Sequence, residues 1–353
     1  MAQMQMQQPT QPQLKMIFKG RLEFGNQRAY DFASKHWATR LENYFKADIL
    51  FKPELVFFEE ELALALPQPH TTFMGSEKAW RGTIDLFREI VQFAVVGKIQ
   101  AWCISAGVVS ELILEPKTDK AAITEYWLGC ELVQTDGGME DASAALSRAI
   151  EKYQRHALAY ERRGYVNYKL GNYKDALYDF SKSIDINPNN PEPHYGRGKI
   201  RMLKNEWESA AQDFEDTIKR SIPLQPVFWL SRLKKGECLL HAKRFSEAAI
   251  ELQQFLKRDF KSENPNFRRR RRAWFVLGKS LLGMGETTPA LDAFNQAVNT
   301  VEGIELVSES EALLYRAIAR RQVGKGDFSK DLNAAAKLGN AEAVKLLKEL
   351  SVK

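Results

Sequence analysis

Residues 122–353 alternate amphipathic runs of helical length with short polar turns. Within 157–190, apolar residues recur every three or four positions in two runs that are separated by Leu170-Gly171-Asn172. Pro188 follows the second run, and proline cannot continue a helix. The pattern therefore predicts two helices joined by a tight turn.

The same two-helix pattern returns about every 34 residues. In the 157–190 copy, Gly164 and Ala176 are small where the two helices would cross, and Phe180 is large enough to fill the space between them. Further copies cover an earlier hairpin over 125–153 and later hairpins that start at residues 191, 229 and 271. The period predicts a stack of similar hairpins.

These residues resemble the tetratricopeptide repeat family. The resemblance implies a mainly α fold, a right-handed α-solenoid of five to six helical hairpins over 122–353, because a single hairpin cannot bury its apolar face alone. The last unit is irregular, since a first helix over 312–326 is followed by two short apolar runs that break at Gly339-Asn340. We expect it to be an atypical C-terminal cap.

Residues 16–116 do not follow the repeat and resemble no family that we can name. Their pattern predicts a small α+β domain, with helices on one face of an antiparallel sheet and the first hairpin packed against it. The predicted elements are a strand at 16–25, a helix at 27–46, strands at 49–58 and 61–66, a helix capped by Ser76 and running to Val95, and a hairpin around Ser105-Ala106-Gly107.

Composition narrows the class of protein. Residues 1–15 are rich in Gln and Met and predict a disordered tail without the basic start and apolar run of a secretory signal. No apolar stretch approaches the roughly 20 residues that cross a membrane. Cys103, Cys130 and Cys238 are widely spaced, which is typical of reduced thiols. We therefore expect a cytoplasmic protein.

Chemistry-bearing motifs are missing from the sequence. Lys279 and Ser280 imitate part of a phosphate loop, but Ala273 stands where that motif requires glycine, and the segment lies in a predicted helix. The five histidines have no partner at metal-ligand spacing and no neighbouring nucleophile. We expect no enzyme activity, no metal and no cofactor.

In tetratricopeptide proteins, first helices line an inner surface that holds partner proteins. The resemblance places a mixture of aromatic rings and cations on that surface, which favours an acidic segment or helix of a partner. The predicted groove residues are Arg162, Tyr165, Tyr168, Lys169, Tyr195, Lys199, Lys234, His241, Phe275 and Lys279. The Lys, Asn and Arg set that clamps a chaperone's carboxylate tail is not present at the matching positions, so we reject that mode of binding.

A run of five arginines, Arg268, Arg269, Arg270, Arg271 and Arg272, forms a second candidate site. Adjacent cations at a helix start repel one another and oppose the helix dipole, so an acidic group should offset them. Glu263, Asp259 or a neighbouring repeat could supply it; alternatively, an acidic partner, RNA or a lipid head group would do so.

These observations predict a non-enzymatic scaffold or adaptor that holds one or more proteins in the groove of the repeat array. The alternative function is binding of nucleic acid or another anionic surface through the arginine run. Residues 122–353 carry the whole net charge of +6, since residues 1–121 are balanced. The sequence leaves open the identity of the partner and the formation of a homo-oligomer.

Overall fold

The computed structural model describes residues 13–43, 49–118, 120–300, 307–324 and 327–351. The chain divides into two compact units after Pro193. The first unit contains the amino-terminal sheet and two helical hairpins, and the second contains the later hairpins. Most of the predicted tail, residues 1–12, lies outside the described residues, and the first strand begins at Leu14.

The sheet of the first unit is antiparallel throughout. Its order is β2-β3-β1-β5-β6, and β4 pairs with the first half of β1. Ile17 lies opposite Trp102 in the long β1–β5 ladder. The strands are β1 (Leu14–Glu23), β2 (Phe57–Phe58), β3 (Ala63–Ala65), β4 (Thr71–Gly75), β5 (Val96–Ser105) and β6 (Val108–Leu114).

Three helices accompany this sheet: α1 (Gln27–Asn43), α2 (Pro53–Val56) and α3 (Glu77–Val91). Because side chains alternate along a strand, β1 directs Phe18 into one core with Trp37 of α1 and Phe87 of α3. Its other face carries Lys19 and Glu23, which are buried although they are charged. The sheet therefore has an apolar face that α1 and α3 cover. Its other face is polar, and the charged residues there are also shielded from solvent.

The predicted α+β domain is confirmed in class, but two of its elements differ. Residues 49–58, predicted as a strand, contain α2, because Pro53 suits the first turn of a helix and its carbonyl accepts the N–H of Phe57. Strand β4 was not predicted. The Ser76 cap is confirmed, since its side chain accepts the N–H of Ala79 at 3.2 Å. Part of the predicted helix 27–46 lies outside the described residues.

Thirteen helices follow among the described residues, and they alternate as first and second helices of hairpins. In the first unit they are α4 (Ala121–Leu132), α5 (Met139–Lys152), α6 (Ala157–Lys169) and α7 (Tyr173–Ile186); α8 (Pro191–Leu203) contains the division. The second unit continues with α9 (Trp207–Arg220), α10 (Pro226–His241), α11 (Phe245–Lys257), α12 (Arg270–Gly283), α13 (Thr287–Asn299), α14 (Glu309–Val323), α15 (Phe328–Lys337) and α16 (Ala341–Ser351).

Each regular hairpin closes on the same glycine contact. In α6, a Cβ on Gly164 would lie 2.9 Å from the ring of Phe180 in α7. Equivalent contacts join the pairs Gly129 and Leu146, Gly198 and Phe214, Gly236 and Leu252, and Gly278 and Phe294. The small residue is required because the large residue of the second helix occupies the space of a side chain. This recurrence confirms the repeat phase.

A buried ion pair also recurs at one place in the hairpins. Arg163 donates to Asp179 at 2.7 Å, and Arg197 donates to Asp213 at 2.8 Å, with both carboxylates almost fully buried. Lys235 and Glu251 repeat the pair with other residue types at 2.6 Å. The α12–α13 hairpin has Leu277 and Ala293 at the matching positions, and a cleft of about 460 Å³ opens beside them.

The polar face of the sheet lies against the hairpins of the first unit, as expected. The Tyr153 hydroxyl donates to Glu23 at 2.9 Å, and Lys120 Nζ donates to the carbonyls of Phe93 and Ala94. Val96 of β5 joins Tyr126, Leu146 and Leu158 in one apolar cluster. The amino-terminal domain thus covers apolar surface that the first repeats would otherwise expose. Across the described residues, none of the helices has the length and hydrophobicity that crossing a membrane requires.

Candidate protein-interaction surface

The first helices α10, α12 and α14 lie side by side in the second unit. We call their shared surface the inner face of the second unit. Its predicted groove residues come from two helices, Lys234 and His241 from α10, and Phe275 and Lys279 from α12. The repeat sets this arrangement, because equivalent helices of successive hairpins pack on one another.

Glu237 lies between two cations on the inner face. Its Oε2 is 3.3 Å from Nζ of Lys234 on the same helix, and its Oε1 accepts the Nε–H of Arg272 of α12 at 3.0 Å. The side chain of Glu237 is only 5% exposed, whereas that of Arg272 is 29% exposed. The pair therefore ties adjacent hairpins together while part of the guanidinium remains at the surface.

Lys279 lies over aromatic rings. Its Nζ is 4.9 Å from the ring centre of Tyr315 in α14 and 5.6 Å from that of Phe275. Such cation–π contacts are worth about 1 kcal/mol and leave the ammonium able to bind an anion. Among the described residues, no carboxylate pairs with this lysine.

His241 ends α10 and stacks on Trp207 of α9, with ring centres 4.3 Å apart and planes 15° apart. Burial lowers the pKa of His241, and the charges of Lys279 and Arg272 lower it further, while Glu237 raises it. The imidazole is therefore neutral at neutral pH. A carboxylate placed beside it would reverse this shift by favouring the charged form.

Phe275 corrects one part of the predicted groove. Its side chain is 2% exposed and packs edge-on against Tyr315 and against Phe294 of α13. Its ring therefore belongs to the core of the second unit and supports Lys279 from below. The repeat position was identified correctly, but Tyr315 of the next hairpin covers it.

The remaining predicted residue pair of the second unit lies on α8. Lys199 Nζ lies 5.3 Å from the ring centre of Tyr195, so this pair repeats the arrangement of Lys279 over Phe275 at the equivalent positions of an earlier hairpin. Tyr195 also packs on Phe214 of α9 at 5.7 Å between ring centres. The two residues thus supply a partly exposed cation on an aromatic base.

The other predicted groove residues belong to α6 of the first unit. Lys169 lies 6.0 Å from the ring centre of Tyr165, and Tyr168 packs against Tyr173 of α7. Arg162 is partly buried, and its pKa is raised, chiefly by the charge of Glu161. These residues belong to the first unit, whereas α10 and α12 belong to the second.

The five arginines of the basic run do not form one strip. Arg268 is exposed, Arg270 donates to a backbone carbonyl of the preceding segment at 3.0 Å, and Arg271 is buried. Arg272 turns to Glu237 on the inner face. For Arg272, the offsetting charge comes from a neighbouring repeat, one of the alternatives that the sequence left open.

Sequence reasoning did not include three residues of this surface in the predicted groove. Arg272 was assigned to the basic run, although the repeat phase places it on the first helix beside Phe275. Trp207 and Tyr315 were missed because they come from other helices and contact the groove residues only in three dimensions. Within the part of the chain that the structure describes, no cluster of three or more metal-ligand side chains occurs.

Comparison with known proteins agrees with the repeat. Residues 164–205 match a TPR repeat model and residues 195–264 match a tetratricopeptide repeat model. Residues 164–264 thus carry tetratricopeptide repeats, and the chain is mainly helical, with a small antiparallel sheet domain before the repeats.

Relatives are similar over part of their length. The rat DnaJ homolog subfamily C member 3 is 27% identical over 217 residues, which is 59% of this chain and 40% of that protein. Human tetratricopeptide repeat protein 6 is 28% identical over 131 residues, or 37% of this chain and 24% of that protein. The chain thus spans less than half the length of these relatives.

Among solved structures, that of pilF from Pseudomonas aeruginosa superimposes with a TM-score of 0.51 at 18% identity. The match covers 65% of this chain and 98% of the pilF chain. At this identity the likeness concerns the fold alone.

Proposed function

We propose that this protein is a non-enzymatic scaffold that holds an acidic segment of a partner protein on the inner face of its second unit. The repeats and the relatives support a protein-interaction scaffold in general terms. The acidic character of the partner is our specific claim. We also propose a cytoplasmic location, which the free Cys103, Cys130 and Cys238 favour.

One observation carries the claim: among the described residues of α10 and α12 on the inner face, cations outnumber carboxylates. Lys234, Arg272 and Lys279 lie there with the titratable His241, and Glu237 is the carboxylate between them. The aromatic rings that contact Lys279 provide apolar surface and do not neutralise the charge of its ammonium group. A surface of this kind attracts an acidic segment and rejects a basic one.

Charge reversal tests the proposal on the intact chain. A fluorescent glutamate-rich peptide should bind, bind less tightly at higher salt, and lose at least about tenfold in affinity with Lys279→Glu. Lys257→Glu is the matched control. Lys257 is exposed at the end of α11, and its substitution changes the net charge by the same amount as Lys279→Glu. Equal effects of the two variants, or no binding at low salt, would refute the proposal.

The same assay decides the alternative. If single-stranded RNA binds instead, and if Arg268→Glu weakens that binding while Lys279→Glu leaves it unchanged, the arginine run is a nucleic-acid site and the acidic-segment proposal is wrong. A titration of log affinity against log salt then gives the number of phosphate contacts.

A further inference from the structure

Arg272 presents only part of its guanidinium to the protein. Its Nε donates to Glu237, and the two terminal nitrogens have no hydrogen-bond partner among the described residues. The side chain is 29% exposed. A guanidinium held through Nε offers its terminal N–H groups in a fixed plane, which suits two parallel hydrogen bonds to a carboxylate.

Lys279 provides a second anchor on the same helix. It follows Arg272 by seven residues, close to two helical turns, so the two side chains start about 10.5 Å apart along the axis of α12. The rings of Tyr315 and Phe275 fix its ammonium group at the surface. The two cations are thus on one face, and they are too far apart to bind a single carboxylate.

His241 lies within electrostatic reach of both anchors. The charges of Lys279 and Arg272 each lower its pKa, and the carboxylate of Glu237 opposes them. Its ring is fixed by stacking on Trp207. These four groups from α9, α10 and α12 are the surroundings that determine whether the imidazole is charged.

We propose that Arg272 and Lys279 bind two carboxylate side chains of one partner segment, with His241 as an added donor; the inference rests on the proposed function. A polyproline II segment has three residues per turn and rises about 3.1 Å per residue, so acidic residues three positions apart lie on one face about 9 Å apart and match the separation of the anchors. Carboxylate is favoured over phosphate because the charge of Glu237 beside Arg272 repels a doubly charged phosphate more strongly than a singly charged carboxylate.

Calorimetric titration of the full chain tests the spacing. A synthetic peptide with two glutamates three residues apart should bind about tenfold more tightly than isomers with the glutamates adjacent or six apart. Arg272→Lys and Lys279→Met should each reduce the affinity about tenfold and remove the preference for spacing. Binding that ignores spacing and both substitutions overturns the site but not the proposed function; no binding of any acidic peptide overturns both.

Glu237→Gln gives a test that misfolding cannot imitate, because affinity should increase. Glutamine keeps an oxygen to accept the Nε–H of Arg272 but removes the competing charge, so the spaced peptide should bind about threefold more tightly. Unchanged or weaker binding contradicts the site. A phosphoserine peptide of the same spacing that binds more tightly than the glutamate peptide would contradict the assignment to carboxylate.

The histidine supplies an independent readout. Because a bound carboxylate favours charged His241, affinity should increase as the pH is lowered from about 7.5 to about 5.5, before the peptide's own glutamates are protonated. His241→Phe keeps an aromatic ring on Trp207 and should abolish this increase. A pH dependence that survives in His241→Phe would exclude the histidine from the site.

Discussion

The ring of Phe294 in α13 lies directly over Gly278 in α12: a Cβ on Gly278 would be 2.6 Å from the nearest ring carbon. No real Cβ approaches another carbon so closely, so the glycine is required by the ring that faces it. The same close contact between a glycine of the first helix and a large residue of the second recurs in five hairpins of the array.

We therefore expect Gly278→Ala to lower the free energy of unfolding by about 1–3 kcal/mol, because overpacking outweighs the better helix propensity of alanine. Phe294→Ala removes the ring, and in that background Gly278→Ala should be neutral or stabilising by up to about 1 kcal/mol. Urea unfolding of the four proteins measures this double-mutant cycle. Additive effects would show that the ring does not impose the glycine.

The repeat phase identified Gly278 and placed Lys279 and His241 on first helices, because helical periodicity and a fixed repeat length determine these positions. The contact between Glu237 and Arg272 could not be predicted, since it depends on how one hairpin is inclined to the next. The burial of Phe275 under Tyr315 has the same origin. In the amino-terminal domain, the alternation over 61–66 identified β3, whereas the five residues of β4 gave no periodicity that could be detected.

The buried pair in the α8–α9 hairpin should contribute to stability. Asp213 is 1% exposed and accepts from Arg197 and Arg201 at 2.8 and 2.9 Å. Asp213→Asn leaves two cations without their counter-charge and should cost about 3 kcal/mol of unfolding free energy. Glu247→Gln is the control, because its pair with Arg244 is about half exposed and should be worth less than about 1 kcal/mol. Similar losses in the two variants would contradict this assignment.

His156 makes the first unit sensitive to acid. It is 1% exposed, and its Nδ1 accepts the N–H of Ala159 at the start of α6 at 3.1 Å, which requires the neutral ring. Burial lowers its pKa from 6.5 to about 4. Since the unfolded state binds the proton more tightly, this stabilisation is complete above about pH 6.5 and is lost as the pH falls towards 4, for a total of about 3 kcal/mol.

Hydrogen exchange of the α6 amides between about pH 7 and about pH 4 tests this expectation, after correction for the intrinsic rate. His156→Asn should remove most of the acid-dependent loss of protection, because asparagine caps a helix but does not titrate in this range. If wild type and His156→Asn lose protection in parallel, other groups cause the acid sensitivity.

The α12–α13 hairpin allows the recurring ion pair to be added. Leu277 and Ala293, each 3% exposed, occupy the positions that hold Arg197 and Asp213 in the α8–α9 hairpin, and the neighbouring cleft of about 460 Å³ has room for longer side chains. Leu277→Arg alone buries an unpaired cation and should cost about 3 kcal/mol or more. Combining it with Ala293→Asp should recover much of that loss, with a coupling free energy of about 2 kcal/mol. Thermal and urea unfolding of the single and double variants measure the coupling. If the double variant loses as much stability as the two single variants together, the α12–α13 hairpin differs from the others in geometry as well as in residue type.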